Sequence, residues 1–501
     1  IWHNNTKSMK EKGGFMGYIE GQDRNQIIMF PESIDEYISE DSPVRIIDAY
    51  VDQLDMEKLG FKRATAPVIG RPPYSPRDLS KLYLYGYLNR IRSSRRLEQE
   101  AGRNLEVIWL LKKLKPDFKT IADFRKDNKG ALKAVFRDFI KLCDEWDLFG
   151  KELVAIDSTK FRASNSKRNN YNAKKLERHI KYIDEKIEEY MRELDEEDTI
   201  EVCDRKPNAS EIKERLQQLK DRKEKYEEYK DQLDRTGKNE ISTIDPDARL
   251  MCNNNNNVDI SYNVQTTVDS KHKLILDFKV SQKPNDLGEL DNMALRAKKL
   301  FDGKEFEVLA DKGYYKAEDI KKCVEEGITP YVSKQTYSND TGDRNFYSDK
   351  FKYDKERNIY ICPEGKELYY SRDRKEKGKV IGYEYRNYEA CKDCKLKDRC
   401  TRSKKGRSIF RHKDQDFLDT IKLQTELNIE KYKLRQMIVE HPFGTIKRSW
   451  GAYYFLTRRK ASVTAEVSLS YLAYNMRRVM NILGIEEMLR RLKERRKPVL
   501  I

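Results

Sequence analysis

The chain from residue 16 to 150 places apolar residues at helical spacing and interrupts them with short polar breaks. The run RDLSKLYLYGYLNR (77–90) shows this spacing, and IRSSRRLEQEAGRNLEVIWLLKKL and KPDFKTIADFRKDN follow it. Apolar residues that recur every three to four positions indicate amphipathic helices. Residues 16–150 are therefore predicted to form an all-α domain of short helices.

Basic side chains cluster near the starts of these predicted helices. Consecutive short helices with basic residues at their ends are typical of helix-turn-helix-like DNA-binding units. An ordinary helical bundle with solvated basic faces fits the same pattern equally well. The basic residues in question are Arg92, Arg95, Arg96, Lys119 and Arg125.

Two short apolar runs further along the chain stop at an aspartate. In LVAIDSTKFRA the residues Leu153 to Ile156 precede Asp157, and in FEVLADKGYY the run 306–310 precedes Asp311. Such runs predict buried strands, and a carboxylate at the end of a buried strand lies at the rim of a sheet, where ligands and metals commonly bind. Asp157 alone could simply cap a turn. Its recurrence at Asp311 favours a shared chemical role.

Between these two runs lies a predicted β-hairpin. The segment VDISYNVQTTVDSKHKLILDFKVS (258–281) consists of two β-rich runs joined at Asp269 and Ser270. A helix is predicted from about 286 to 301. Asp286, in the PND turn that precedes it, could cap that helix.

A charged helical pair is predicted at residues 170–235. Apolar residues there are spaced four and three apart, which is the spacing of a coiled coil. Pro207 and Asn208 lie in the loop between the two helices, so the pair reads as an antiparallel hairpin inserted at 165–245. The residues that carry the spacing are Leu176, Ile180, Ile183, Ile187, Tyr190 and Leu194, then Ile212, Leu216, Leu219, Tyr226 and Leu233.

Residues 334–413 break into short Tyr-rich runs and form a predicted Cys-rich β segment. Cys391 and Cys394 make a CxxC pair, Cys400 follows, and Cys362 precedes them in CPEG. Four thiolates at this spacing can close a structural Zn²⁺ site, and free cysteines are the alternative. His412 is a further candidate ligand.

The C-terminal part is predicted to be helical and basic. One helix is expected over about 415–440 and should break at Pro442, because proline cannot donate a helical hydrogen bond. A further amphipathic helix, VTAEVSLSYLAYNMRRVMNIL, precedes a basic tail at 481–501.

Composition adds a preference for polyanionic partners. The 501 residues include 101 Lys and Arg against 85 Asp and Glu, a net charge of +16, which suits a protein that neutralises phosphates along nucleic acid. No apolar run approaches the roughly 18 residues needed to span a membrane, and the polar start lacks a signal-peptide core. A cytoplasmic location is expected. Since Met9 lies inside that polar start, residues 1–8 are expected to precede the initiator.

Two strand-end aspartates and a glutamate on a late helix form a pattern that two-metal phosphoryl-transfer sites use. Paired Mg²⁺ ions, roughly 4 Å apart, need bridging carboxylate oxygens to activate an attacking hydroxyl and to stabilise the leaving oxygen. In an α/β ribonuclease-H-like fold, aspartates on a rigid sheet and a glutamate from a packed helix provide these carboxylate oxygens.

The chain also resembles bacterial insertion-sequence transposases of the DDE class, in the group with a YREK signature. The resemblance is carried by AIDSTKFRAS, DPDARLM, SYNVQTTVDS, LADKGYY, YKLRQMIVEHPFGTIKR and AYNMRR, which occur in the family's order. SPVRIIDAYVDQLD and PPYSPRDLSKLYLYGYLNRIRSSRRLE extend it towards the N-terminus, so it covers most of the chain.

The resemblance implies specific residues and partners. Asp157, Asp311 and Glu440 would hold Mg²⁺ or Mn²⁺, and Tyr432, Arg435 and Lys447 would contact DNA phosphates. The protein would bind terminal inverted repeats and target DNA as a homodimer in a synaptic complex.

One departure from the signature concerns the glutamate. Four residues separate Arg435 from Glu440, where the signature has three, so the two lie about 140° apart on an ideal helix. Glu426, Glu430 and Glu466 are rival candidates, and the motif context favours Glu440.

The expectation is thus a DNA transposase with an all-α DNA-binding domain at 16–150 and a catalytic domain at 151–480. It would cleave the ends of an insertion sequence and join them to target DNA. A related nuclease without strand transfer, or a transposase-derived DNA-binding protein without catalysis, are the alternatives.

Overall fold

The structure is a computed structural model that describes residues 33–65, 72–198, 209–252, 257–334, 338–376 and 378–495. The helices of these residues are α1 (Pro43–Gln53), α2 (Pro76–Leu88), α3 (Ser94–Arg103), α4 (Leu105–Leu110), α5 (Phe118–Asp127), α6 (Lys129–Glu145), α7 (Ala173–Asp198), α8 (Ala209–Thr236), α9 (Leu290–Leu300), α10 (Ala317–Glu325), α11 (Tyr388–Lys392), α12 (Lys397–Cys400), α13 (Gln415–Leu427), α14 (Ile429–Phe443), α15 (Lys460–Leu483) and α16 (Ile485–Arg495).

The strands form one large and one smaller sheet together with a two-stranded pair. They are β1 (Leu153–Arg162), β2 (Asn170–Tyr171), β3 (Ile241–Ser242), β4 (Arg249–Cys252), β5 (Val258–Asp269), β6 (Ile275–Ser281), β7 (Phe306–Ala310), β8 (Ile328–Val332), β9 (Lys352–Asp354), β10 (Ile359–Ile361), β11 (Glu367–Glu376), β12 (Lys379–Arg386) and β13 (Ser408–His412).

The large sheet is mixed. Its order is β6-β5-β1-β7-β8, with the short β4 pairing beside β6 on the same edge of β5. β5 is antiparallel to both of its neighbours β1 and β6, whereas β7 and β8 run parallel to β1. Val154, Ala155 and Ile156 are fully buried in β1, as expected for the middle strand of a sheet covered on both faces.

The prediction that β1 stops at Asp157 is wrong. The strand continues to Arg162, because β5 pairs with it along its whole length and places Thr266 opposite Asp157. The parallel pairing with β7, in contrast, ends at Ile156 and Ala310. Asp157 therefore lies within a strand but directly beyond the last parallel pair.

The N-terminal helices share a hydrophobic core with the large sheet. Phe136 of α6 packs edge-to-face against Phe278 of β6, which packs in the same way against Tyr471 of α15. The buried apolar residues of these elements belong to one cluster that extends from Ile38 to Leu492, while the small sheet and the helical hairpin have clusters of their own. Residues 16–32 of the predicted N-terminal domain lie outside the described part of the chain.

The predicted helical hairpin is confirmed. α7 and α8 are antiparallel, since Asp184 pairs with Lys223 at 2.6 Å while the earlier Glu177 pairs with the later Lys230 at 3.9 Å. β2 and β3 close the base of the hairpin. The loop with Pro207 and Asn208 lies outside the described residues.

The predicted β structure at 334–413 is also confirmed. It forms an antiparallel sheet in the order β13-β12-β11-β10-β9. Its core consists largely of tyrosines, with Tyr353, Tyr360 and Tyr385 in mutual ring contact.

The C-terminal helices differ from the prediction in two ways. The expected helix 415–440 is divided at Asn428 into α13 and α14. Pro442 does not end the helix: it lies inside α14, which passes into a π-helical turn at Gly444–Ser449. Proline leaves a carbonyl of the preceding turn without its amide partner, and a widened turn is one way in which a helix absorbs such a defect.

The residues predicted as a basic tail, 481–501, are helical as far as residue 495: the first three end α15, and α16 follows from Ile485. Met488 and Leu492 are buried, and the Leu492 carbonyl accepts a hydrogen bond from Gln53 at 2.7 Å. The last residues of the predicted tail, 496–501, lie outside the described part. No helix among the described residues is both long enough and apolar enough to cross a membrane.

Candidate active site and DNA interface

Two neighbouring parallel strands bring Asp157 and Asp311 together. Ile156 of β1 pairs with Ala310 of β7, and each is followed by one of the aspartates. Asp311 caps a short 3-10 turn, with its Oδ1 accepting a hydrogen bond from the Gly313 amide at 3.1 Å. The two aspartates that follow the apolar runs thus lie at neighbouring positions at the carboxyl end of the parallel pairing.

Asp157 lies in an environment that disfavours its charge. Burial raises the pKa of Asp157 to about 6, the guanidinium of Arg435 and the Ser158 amide lower it, and Asp311 and Asp286 raise it. The side chain is 21% exposed. A largely buried carboxylate with two further carboxylates nearby forms a site where a bound cation would be stabilised.

The helix α14 and the π-helical turn cover β1 with basic groups. Arg435 Nη1 donates to Asp157 Oδ2 at 2.8 Å. Lys447 Nζ donates to Thr159 Oγ1 and to the Lys160 carbonyl, both at 2.9 Å, and burial lowers its pKa. Tyr432 is partly buried against the hydrophobic core. Arg435 and Lys447 therefore lie beside the strand that carries Asp157.

Glu440 lies on the solvent side of α14. Its Oε1 accepts a hydrogen bond from Gln436 at 2.8 Å, and no contact among the described residues joins it to Asp157 or Asp311. The helical offset explains this position, because the face that turns Arg435 towards Asp157 turns Glu440 away. Of the three residues of the predicted triad, the structure brings only Asp157 and Asp311 together.

The rival glutamates have other partners. Glu466 is buried and accepts hydrogen bonds from the Leu456 and Thr457 amides, and it lies 3.5 Å from Arg92. Glu430 pairs with Lys433, and Glu426 pairs with Lys422, on the exposed surface. Glu466 thus ties the N-terminal helices to the segment that follows the π-helical turn.

Asp286 lies close enough to Asp157 to raise its pKa, and the sequence alone did not place it at this site. Its Oδ1 accepts hydrogen bonds from Asn263 Nδ2 at 2.8 Å and from Gln265 Nε2 at 2.6 Å. Asn263 and Gln265 lie two apart in a strand whose apolar and polar residues largely alternate, so they share one face, and both are fully buried. Such positions in a buried strand need polar partners.

Comparison with known families locates two segments of the chain. Residues 361–480 match the family model described as Transposase DDE domain, and residues 32–127 match that of Transposase domain (DUF772). The chain is a transposase of the DDE class. The two matched segments include Glu440, Arg435 and Lys447, whereas Asp157 and Asp311 lie between them.

Other comparisons add little. No curated protein matches the chain at a significant level. A solved structure, the piggyBac transposase synaptic complex with hairpin DNA determined by cryo-EM, aligns with 9% sequence identity and a TM-score of 0.26. The alignment covers 92% of this chain and 83% of that one. A likeness of this size carries no conclusion about the transposase's fold.

The basic residues of the N-terminal segment divide into exposed and internal ones. Arg95, Arg96 and Lys119 are exposed, with Arg95 lying over the Phe118 ring. Arg125, in contrast, stacks on the buried Tyr83, and Arg92 donates to the Tyr454 carbonyl at 2.7 Å. The exposed three can reach a DNA backbone, whereas the surroundings of Arg125 and Arg92 are those of packing residues.

The four cysteines of the second sheet line one small cavity of about 30 Å³. The Lys366 amide donates to Cys362 Sγ at 3.3 Å. Burial raises the pKa of Cys400 to about 11, Arg407 lowers it, and the thiols of Cys391, Cys362 and Cys394 raise it. His412 instead lies 3.9 Å from Glu318. Within the described parts of the transposase, no three His, Cys, Asp or Glu side chains are arranged to hold a metal ion by themselves.

Proposed function

We propose that this transposase cleaves the ends of its own mobile element and joins them to target DNA by metal-dependent phosphoryl transfer. The observation that carries the proposal is the pairing of Asp157 and Asp311 on adjacent parallel strands, under a helix that carries Arg435. The strand order, three antiparallel strands followed by two parallel ones, supports a ribonuclease-H-like catalytic domain. Carboxylates at the ends of parallel strands are a common origin of ligand sites.

Asp157 and Asp311 are proposed to hold Mg²⁺ or Mn²⁺. Their carboxylate oxygens are the ligand type that Mg²⁺ prefers. Burial is the main cause of the raised pKa of Asp157, and Asp311 and Asp286 lie close enough to raise it further. When bound, the metal supplies an activated oxygen nucleophile and stabilises charge on the phosphate. Glu440 is proposed as the third ligand, and its exposed position means that it must turn towards the sheet to take part.

The basic residues of α14 and its extension are proposed to position the DNA. Arg435 and Lys447 are held beside Asp157, so a phosphate at the two aspartates would lie within their reach. Tyr432 lies one turn before Arg435 on the same side of the helix and would contact the DNA backbone. Water is proposed as the first nucleophile and a DNA 3′-hydroxyl as a later one.

The N-terminal segment is proposed to recognise the element ends. Arg95, Arg96 and Lys119 present exposed positive charge to phosphates, which supply most of the affinity of DNA-binding proteins. Because two ends must be joined to one target, the working form is proposed to be a homodimer in a synaptic complex, acting in the cytoplasm.

A structural Zn²⁺ is proposed for Cys362, Cys391, Cys394 and Cys400. Their position around one cavity supports it, and so does the amide hydrogen bond to Cys362 Sγ, since thiolate ligands commonly accept such bonds. The role would be to stabilise the small sheet, whose apolar cluster contains only a few residues.

The decisive experiment uses purified full-length protein, labelled DNA from the two borders of the gene, a target plasmid and Mg²⁺. A transposase gives cleaved ends and then labelled plasmid. Cleaved ends without joined product would indicate a nuclease. Retarded but uncut DNA would indicate a binding protein without catalysis, and either result would contradict the proposal.

A further inference from the structure

We propose that Asp286 is an additional carboxylate of the active site and binds the catalytic cation together with Asp311. Its Oδ2 is the ligating atom, while its Oδ1 is fixed by two buried amides. The inference rests on the proposed function, because it assigns a residue to the cation site of the phosphoryl-transfer reaction.

Two side chains of β5 hold one oxygen of Asp286 in place. Asn263 and Gln265 are fully buried, and both donate to Oδ1. The Gln265 Oε1 accepts a hydrogen bond from the buried Tyr314 hydroxyl. Tyr314 belongs to the 3-10 turn that Asp311 caps. Asp286 is therefore linked by hydrogen bonds to the turn that positions Asp311.

The second oxygen of Asp286 faces Gly313. A Cβ atom added to Gly313 would lie 3.5 Å from Asp286 Oδ2. The Gly313 amide donates to Asp311 Oδ1 at 3.1 Å. Both carboxylates thus lie against the same glycine, and Asp286 Oδ2 accepts no hydrogen bond from any residue that the structure describes.

A second acceptor beside Asp286 also lacks a partner. The Oδ1 atom of Asn263 is buried without a hydrogen bond among the described residues, although the amide nitrogen of the same group contacts Asp286. Buried polar atoms without a protein partner commonly mark the place of an ion or water. Asp286 and the residue that holds it thus each have an oxygen without a hydrogen-bond donor among the described residues, and Asp286 Oδ2 lies against the glycine whose amide binds Asp311.

Capping of α9 does not explain Asp286. The N-cap of α9 is Glu289, and the only link from Asp286 to it is the backbone hydrogen bond from the Glu289 amide to the Asp286 carbonyl at 3.3 Å. The carboxylate points instead to β5. The possibility that Asp286 caps the following helix, which the sequence left open, is therefore not the one observed.

A site with few protein ligands suits Mg²⁺. This ion keeps several waters and is typically bound by one or two carboxylates plus phosphate oxygens of the substrate. The chain need not present three carboxylates around one point before DNA binds. Asp286 and Asp311 would supply the protein side of such a site.

The test is a titration of the DNA-free, full-length protein with Mn²⁺, in which free Mn²⁺ is followed by electron paramagnetic resonance. Asp286→Asn should weaken binding about tenfold or more, and Asp311→Asn should weaken it by a similar factor. Asp302→Asn is the matched control. It removes one carboxylate from a turn that precedes β7, at the opposite end of that strand, and its left-handed φ of 53° suits asparagine. We expect this control to bind Mn²⁺ as the unmodified protein does.

A second variant separates binding from local structure. Asp286→Glu keeps the charge and should retain Mn²⁺ affinity closer to that of the unmodified protein than Asp286→Asn, whereas a purely structural role predicts equal effects of both. If Asp286→Asn binds Mn²⁺ as tightly as Asp302→Asn, the inference is wrong. The proposed function would stand in that case, provided that Asp157→Asn and Asp311→Asn still abolish DNA cleavage.

Discussion

At the scale of single residues, the position of a carboxylate in the sheet decides its chemistry. Asp157 and Asp311 could be singled out from the sequence, because both directly follow apolar runs that predict buried strands, whereas the parallel pairing of those strands is seen only in the structure. Asp286 could not, because its partners Asn263 and Gln265 lie more than twenty positions earlier and only the folded sheet brings them to it. The spacing of Arg435 and Glu440 placed the two on different faces of a helix, but it could not show which of the two would face Asp157.

Asp157 should make stability depend on pH in a specific direction. Burial raises its pKa to about 6, so folding favours the protonated form. The free-energy cost of burying the charged form is absent below the pKa of the unfolded chain and grows as the pH rises to the pKa of the folded protein. Asp157→Asn removes that cost. Its free energy of unfolding should exceed that of the unmodified protein by about 1–2 kcal/mol at pH 7.5, and the gain should shrink towards pH 4.5.

Urea denaturation in the presence of a chelator measures this difference at each pH. Asp302→Asn serves as the control and should show no pH-dependent gain. A constant gain across the range, or a loss at pH 7.5, would show that Asp157 is not the group whose burial is costly.

At the scale of elements, the sequence predicted the existence of most helices and strands but not how they end. β1 continues past Asp157 because a partner strand 100 residues later pairs with it, and no local pattern reports that partner. α14 passes through Pro442 because packing of Ile438, Val439 and Ile446 outweighs a missing hydrogen bond. The helical hairpin was predictable because its coiled-coil spacing is local.

The cysteine cavity should depend on Gly406. This residue has φ +76°, and an added Cβ would lie 2.6 Å from Cys391 Cβ. Gly378 has φ +80° with no atom within 4 Å of an added Cβ, so it is a matched control for the backbone strain. Gly406→Ala should lower the zinc content of the purified protein well below that of Gly378→Ala.

Elemental analysis of protein purified without chelator measures this, with about one zinc per chain expected for the unmodified protein. An unmodified protein that carries no zinc would refute the metal site. Equal zinc content in both glycine variants would show that the cavity does not depend on the close approach of Gly406 to Cys391.

At the scale of the whole molecule, the N-terminal helices and the catalytic sheet are one packed body. They share a hydrophobic core, and Arg92 contacts Glu466 and the Tyr454 carbonyl across the junction. The basic composition indicated DNA binding but could not show which arginines face solvent. DNA affinity is therefore best tested in the full chain and not in an isolated N-terminal piece.

The exposed arginines of α3 should contribute to DNA affinity through phosphate contacts. Arg95→Gln with Arg96→Gln should reduce the slope of log affinity against log salt by up to about two, because each neutralised phosphate contributes roughly 0.9. Lys58→Gln with Lys62→Gln is the control, since these exposed lysines already pair with Asp55 and Asp127. Equal slopes in the two double variants would place end recognition elsewhere.

End cleavage by Asp311→Asn tests whether Asp311 and Asp157 form the catalytic centre of this DNA transposase. In Mg²⁺, this variant should lose cleavage and strand transfer while it binds element-end DNA with an affinity close to that of the unmodified protein, since phosphate contacts come mainly from Lys and Arg. Asp302→Asn should cleave normally. Cleavage by Asp311→Asn at the rate of the Asp302→Asn control would contradict the account.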